Sequence, residues 1–333
     1  MITHLINLSI SSQRFPESWK VSKVVPLHKK GEAIFPKNYR PVSLLPVLSK
    51  VLERVIFEQM ISYLEHNQLL HPSHHGFRTG HSTVTALIEM YDQWIEALEK
   101  EEVTAVVMLD LSAAFDVVDH TILLQKLEIL GFKECSLAWL RSYLTDRSQQ
   151  VYIEGSLSEA LNLEAGVPQG SILGPLLYIL FTNDLPEVVH DHQEHPPTQQ
   201  HQPLDEPQVQ RAGQHEEGHD QVEQGHQMSL GGPQYSFKCG ECGGICTFAD
   251  DSTLSISNKD PQTLQEAIKN KYKDIADYMS RNKLILIMSS ARKHQRYGNF
   301  EIILDTGNEI IVPKTTENLL GGIVSNNTQN QCP

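Results

Sequence analysis

A chain of 333 residues that is 40% apolar can bury one large or two modest cores, which excludes a wholly disordered protein. Its five cysteines, three of them bunched at Cys239, Cys242 and Cys246, exclude a disulfide scaffold and lead us to expect reduced thiols in an intracellular protein of the cytoplasm or nucleus. The net charge of −14 is unevenly spread: 187–227 holds nine acids and one base, while Arg14–Arg40 holds seven bases against Glu17 and Glu32, so an overall acidic chain still offers surfaces for a polyanion.

The first stretch is punctuated by Pro16, Pro26, Pro36, Pro41 and Pro46. Leu48, Val51, Leu52, Val55, Ile56, Met60 and Leu64 then recur in three- and four-residue steps, predicting one buried helix face, and Ala86, Leu87, Met90, Trp94 and Leu98 predict a second. Between them, the loop from His71 to His81 carries four histidines with neither a helical i,i+4 pair nor a nearby cysteine, and is not read as a metal site. Thr104–Leu109 is a continuous apolar run ending in Asp110, which predicts a buried strand with a carboxylate at its carboxyl end. A helix through Leu123, Leu124, Leu127 and Leu130 should stop at Gly131. Ser171 is placed to cap an apolar helix over 172–184. That helix contains the longest apolar run, Ile172–Phe181, which Gly174 and Pro175 interrupt and which is too short for a bilayer, so no membrane association is expected. Met1–Ile10 lacks the basic start of a secretory signal.

From Glu187 to about Gln234 the chain is dense in Gln, His, Glu and Pro, and reads as a disordered polar insertion whose seven histidines reflect compositional bias or weak metal scavenging. Beyond it, β-prone residues on both sides of Asp250-Asp251 predict a hairpin with two carboxylates at its tip. Leu264, Ile268, Tyr272, Ile275 and Met279 predict the next helix. Cys239, Cys242 and Cys246 could supply three thiolates to zinc, with His226 or Cys135 as a fourth ligand, or be plain reduced cysteines. A carboxylate leaving a buried strand and a pair on a hairpin tip suit a binuclear site for hard divalent cations; alone, the Asp pair would equally serve as turn residues.

In order along the chain, these segments resemble the motifs of a non-LTR retrotransposon reverse transcriptase. Val24–Gly31 and Asn38–Leu44 look like its two fingers motifs, and Gly76-Phe77-Arg78 with Ser82-Thr83 like the next. Leu109–Asp116 matches the first palm motif, Gly166–Leu177 the second and Phe248–Asp251 the third, while Leu319–Ile323 resembles the primer-grip turn. The resemblance implies an α/β right-hand polymerase core, an RNA-directed DNA polymerase that extends a DNA primer on an RNA template with deoxynucleoside triphosphates. It further implies two magnesium ions, replaceable by manganese, bound by Asp110 and Asp250 with the Leu111 carbonyl, and Asp251 assisting. Arg40, with Lys23 as helper, would hold the triphosphate. Phe115 would exclude a 2′-hydroxyl, and Gln169 and Gly170 would pack near the incoming nucleotide.

On this basis 1–100 is assigned to the fingers, 101–186 to the first part of an antiparallel palm, 187–246 to the insertion, and 247–333 to the rest of the palm with the primer-grip turn, the thumb being largely absent. Two departures stand out. After Asn282-Lys283-Leu284-Ile285-Leu286 the family's Asn and its later Lys-Thr pair, whose Lys is a candidate proton donor to pyrophosphate, are replaced by Ile287-Met288-Ser289-Ser290-Ala291, and Arg292-Lys293 does not restore the spacing. The chain also stops soon after the primer-grip turn. Both fit a truncated copy with impaired turnover, and the rival reading is a remnant that only binds nucleic acid or a partner.

Overall fold

A computed structural model describes residues 1–189 except Ser112, and 244–293; for Lys37 and 287–293 it describes the backbone alone. In chain order the elements are α1 (Ile2–Ser11), β1 (Val21–His28), β2 (Tyr39–Leu44), α2 (Val47–His66), α3 (Thr83–Glu99), β3 (Val103–Leu111), α4 (His120–Ile129), α5 (Glu134–Leu144), β4 (Arg147–Ile153), β5 (Ser156–Leu157), β6 (Leu161–Leu163), α6 (Leu173–Thr182), α7 (Leu185–Val189), β7 (Gly244–Phe248), β8 (Asp251–Asn258), α8 (Pro261–Arg281) and β9 (Leu286–Lys293).

Two sheets organise them. One has the order β2-β1-β4-β5, with β6 also on β4; the other has the order β7-β8-β3-β9. The apolar run of β3 earns the centre of the second sheet, antiparallel to both β8 and β9. Side chains alternate across a strand, so Ala105, Val107, Leu109 and Leu111 point into the main core, together with Leu254 and Ile256 of β8. Asp110 therefore points to the opposite face. Gly131 stands just past α4 with φ +87°, as expected of its stop.

Two features cut across the segments drawn from the sequence. β4 pairs with β1 in parallel, Val21 with Ser148 to Val24 with Val151, so 147–163 belongs to the sheet of the N-terminal motifs although it falls within 101–186. The polar, weakly alternating sequence of β4 hides a pairing that is made across more than a hundred residues. At the ends of 187–246, Glu187–Val189 lies in α7 and Gly244–Cys246 in β7, where Val188-Val189 and Ile245-Cys246 are short apolar pieces that composition averages away. The rest of it, and the primer-grip match, lie outside the described residues.

Apolar on all sides, α6 must be buried all round, and Leu173, Leu176, Leu177, Ile179, Leu180 and Phe181 are each at most 1% exposed. Its first N–H groups consequently lack water and need protein acceptors. Ser171 Oγ accepts from Gly174 N at 2.9 Å, the cap read from the sequence. The others go to Glu53 of α2, whose Oε2 accepts from Ile172 N at 2.8 Å and Leu173 N at 3.3 Å while Oε1 accepts from Ser49 Oγ at 2.8 Å. Glu53 is fully buried. Arg147, also buried, donates to the Tyr143 carbonyl and lies over the Phe15 and Tyr143 rings, closing this part of the core. Glu53→Ala would strand two backbone donors, so we expect about 2–4 kcal/mol lost in urea unfolding, with Glu53→Gln losing less because its amide oxygen still accepts.

Candidate active site

Asp110 and Asp251 are direct partners in the β3–β8 ladder. Directly opposed antiparallel residues have Cα atoms about 4.5–5.5 Å apart and side chains on one face. Asp250 precedes Asp251 by one ~3.8 Å step, so Asp110 and Asp250 lie no more than about 9 Å apart at Cα. The two distant segments thus converge at one end of the sheet, on the face away from the core. Crowding shows in the electrostatics: the Asp251 carboxyl is pushed above its ordinary range by partial burial and by the charges of Asp250 and Asp110, with Lys29 opposing. Hard oxygen donors that repel one another suit a divalent cation, which relieves the repulsion. Among the described residues no three His, Cys, Asp or Glu side chains already close into a ligand set, so a bound cation would need further oxygen donors, as a triphosphate or water could provide.

The hairpin tip is held from outside. Ala249 takes a left-handed conformation, φ +57°, in the turn between β7 and β8. The histidine loop lies along β7: Thr247 N donates to the Ser73 carbonyl and His75 N to the Thr247 carbonyl, both at 2.9 Å. Next to them Gly76 meets the turn itself; a Cβ there would be 2.5 Å from Ala249 N. His74, 1% exposed, places Nε2 3.2 Å from the Thr182 carbonyl and Nδ1 2.5 Å from Thr247 Oγ1. A neutral ring satisfies both contacts, Nε2–H donating and Nδ1 accepting. Burial, with His71 second, holds its pKa down at about 3. His75 bridges Thr85 and Glu89, and Arg78 donates to the His71 and His74 carbonyls. These histidines and Gly76-Phe77-Arg78 form the brace of the Asp250-Asp251 turn, a role that spacing alone did not disclose.

The second palm motif folds over the first. Val167 N donates to the Phe115 carbonyl at 2.7 Å and Gly166 N to the Val118 carbonyl at 2.8 Å. Gly166 is required here, since a Cβ would lie 2.7 Å from the Asp116 oxygen. The Phe115 ring rests on Tyr178, centroids 4.9 Å apart. The Tyr178 phenol is pushed well up by burial and then by Asp250 and Asp251, which places this unforeseen α6 side chain beside the carboxylates. Gln169 Nε2 donates to both Asp116 carboxylate oxygens at 3.3 Å; burial raises the Asp116 carboxyl and this bond opposes the shift. Ser43 N donates to the Gln169 carbonyl at 2.8 Å, and a Cβ on Gly170 would lie 3.0 Å from the Ser43 oxygen. Gln169 and Gly170 are therefore seated against β2, the strand that carries Arg40.

Lys23 and Arg40 are exposed on one face of the β1–β2 pair, opposite Leu44 and Leu27 respectively. Their ladder positions are four residues apart, about 13 Å. Lys29, exposed in the loop after β1, is a cation whose charge reaches Asp251; the basic run and the Val24–Gly31 motif contain it without giving it a role of its own. Lys20, from the same run, is buried and pairs with Glu17 at 2.9 Å. At the other edge, β9 pairs with β3 despite its unusual sequence, with a register shift between Met108 and Leu109. Arg292 and Lys293 pair with Val106 and Ala105, about 13–17 Å along the strand from Asp110. Lys283 is engaged elsewhere, 2.5 Å from Asp119. Cys246 is buried, with its thiol bonded to the Ala86 carbonyl and pushed up to about 12 by burial and Glu89. Such a site disfavours a thiolate; Cys239, Cys242 and His226 lie outside the described residues.

The family model for reverse transcriptase (RNA-dependent DNA polymerase) matches residues 27–297. The chain belongs to the reverse transcriptase family. Among curated relatives, it is 39% identical to the probable RNA-directed DNA polymerase from transposon BS and 38% to that from transposon X-element, both of Drosophila melanogaster, over 55% and 56% of this chain and 20% of each relative. The RNA-directed DNA polymerase from mobile element jockey of the same species is 36% identical over 52% of this chain and 19% of its own length. This chain therefore spans about one fifth of the relatives it matches. Apo telomerase from Candida Tropicalis superimposes with a TM-score of 0.51 at 12% identity, covering 93% of this chain and 52% of that one, which shows a shared right-hand polymerase fold. Reverse transcriptases generally use divalent metal ions. Among the described residues no helix is long and apolar enough to cross a membrane.

Two outcomes test the brace. In the unfolded chain His74 takes a proton below about pH 6.5, while the folded ring stays neutral down to about 3, so its contribution is intact above pH 6.5 and is lost on acidification. That is worth about 2 kcal/mol by pH 5; chemical unfolding at pH 7 and 5 should show His74→Gln flattening the difference. Gly76→Ala, whose new methyl meets backbone rather than a flexible side chain, should cost about 1–3 kcal/mol in the same measurement.

Proposed function

We propose that this reverse transcriptase chain adds deoxynucleotides to a primer 3′-hydroxyl on an RNA template, in the service of retrotransposition. One observation carries the reading: the Asp110–Asp251 pairing, with Asp250 alongside, beneath a second motif seated on Phe115. Asp110 and Asp250 would hold two magnesium ions, with the Leu111 carbonyl as a further oxygen and Asp251 assisting. When bound, the metal supplies charge neutralisation and a more acidic primer hydroxyl. Exposed Lys23, Lys29 and Arg40 draw in the polyanionic triphosphate and backbone; such contacts are insensitive to sequence and weaken with salt. Phe115, backed by Tyr178, forms a firm floor where a 2′-hydroxyl would collide. Gln169, its amide donating to Asp116, turns its side-chain oxygen away from that carboxylate and can accept from a sugar hydroxyl.

Among the described residues the altered segment after Leu286 brings no lysine of β9 beside the carboxylates, and Lys283 pairs with Asp119, so turnover should be slow. A primer-extension assay on an RNA template with deoxy- and ribonucleotides tests the whole reading. We expect extension that Asp110→Asn and Asp250→Ala each reduce at least 10³-fold, about 4 kcal/mol in barrier, and ribonucleotide use that rises in Phe115→Val. Extension unaffected by either Asp substitution would overturn the proposed site. Template binding without extension by the unmutated chain would leave the binding-only remnant.

A further inference from the structure

The helix α3 has two apolar faces, and the fold uses one. Ala86, Met90 and Ala97, with Leu87 and Trp94 beside them, lie against the sheet, where Trp94 Nε1 donates to Ser255 Oγ and Cys246 packs against Ala86 and Met90. Val84, Ile88, Tyr91, Ile95 and Leu98 lie roughly 130° further round at 100° per residue. They are 60%, 55%, 59%, 39% and 52% exposed. Their steps of four, three, four and three residues are the a/d seam of a coiled coil over ~25 Å of helix, not the scattered exposure ordinary on a surface.

The surrounding charge selects the occupant. On the side of the seam away from the sheet run Asp92 and Glu99; beyond them Glu96 pairs with Lys100 and Glu89 with His75, each at 2.8 Å, and α3 itself contains no Lys or Arg. A second copy of α3 would set acid against acid. The 187–227 stretch, with nine acids and one base, and the 294–333 stretch, with four acids, Arg296 and Lys314, are also acidic. An anionic lipid surface or RNA would be repelled for the same reason. We infer that the outer face of α3 docks a partner amphipathic helix, one with an apolar a/d seam and Lys or Arg along its flank.

Two synthetic three-heptad peptides test this, both with leucine at a and d, one with lysine and one with glutamate at e and g. Fluorescence anisotropy of each labelled peptide, at nanomolar concentration, is followed on titration with the full chain. The lysine peptide should bind at least tenfold more tightly than the glutamate peptide, and Ile88→Glu with Ile95→Glu should weaken it at least tenfold without lowering thermal stability. Should that pair fail to fold, Asp92→Lys with Glu99→Lys keeps the seam and should reverse the preference towards the glutamate peptide. Equal binding of both peptides, or binding indifferent to the seam and to the flank charges, would overturn the proposal. So would sedimentation showing that the chain self-associates through this face, since a second copy would then be the occupant.

Discussion

Asp110 and Asp251 are paired across one antiparallel ladder with Asp250 next in sequence, and the structure around the turn has to hold that arrangement against charge repulsion. The arrangement gains nothing for the fold by itself: like charges at short range oppose one another, and partial burial strengthens the effect by lowering the local dielectric. Partial burial first, and then the charges of Asp250 and Asp110, raise the Asp251 carboxyl. A hairpin carrying such a pair stays in register only if backbone pairing and packing elsewhere outweigh the repulsion, and those supports are visible in the structure.

They come from both sides of the turn. Below, the core-facing residues of β3 and β8 lock the register, since a slip of one residue would turn Leu109 and Leu254 outward with every other core side chain. Outside, the 73–76 loop adds hydrogen bonds to β7 and presses Gly76 against Ala249. His74 ties that loop at once to α6 and to Thr247. In turn α6 is fixed at its N-terminus by Ser171 and Glu53, and it carries Tyr178 under Phe115. A chain of contacts therefore joins α2, α6, the histidine loop and the hairpin, with polar groups placed where buried backbone would otherwise be unsatisfied.

What was legible in the amino-acid sequence was local. The apolar run before Asp110, the hairpin around Asp250-Asp251, the Ser171 cap and the Gly131 stop each follow from neighbours within a few residues, where periodicity and capping rules operate. The motif order points to the family independently of any contact. Glu53 was hidden because its acceptors' partners lie about 120 residues away on α6, and an acid inside an apolar helix pattern looks like an ordinary solvated side chain. His74 was hidden for the same reason. Its burial depends on Thr247 and Thr182, and nothing in a loop of four histidines says which will be neutral and interior. Lys29 stood out only as charge, because its nearness to Asp251 is a property of how the loop after β1 folds back. The β1–β4 pairing joins strands with little apolar patterning, so sheet membership could not be read from either.

The edge strand β9 separates what the scaffold demands from what the chemistry demands. Its sequence after Leu286 differs from what the resemblance implies, yet the backbone pairs along β3 with a single register shift, between Met108 and Leu109. Sheet pairing needs only backbone donors and acceptors at the right spacing, and a bulge restores them locally. A side chain that must act at one place has no such tolerance, and Arg292 and Lys293 pair with Val106 and Ala105, in the far half of β3. The Asp110–Asp251 pairing and the β7-β8-β3-β9 sheet therefore ask of this edge only a backbone that can pair, not a particular sequence.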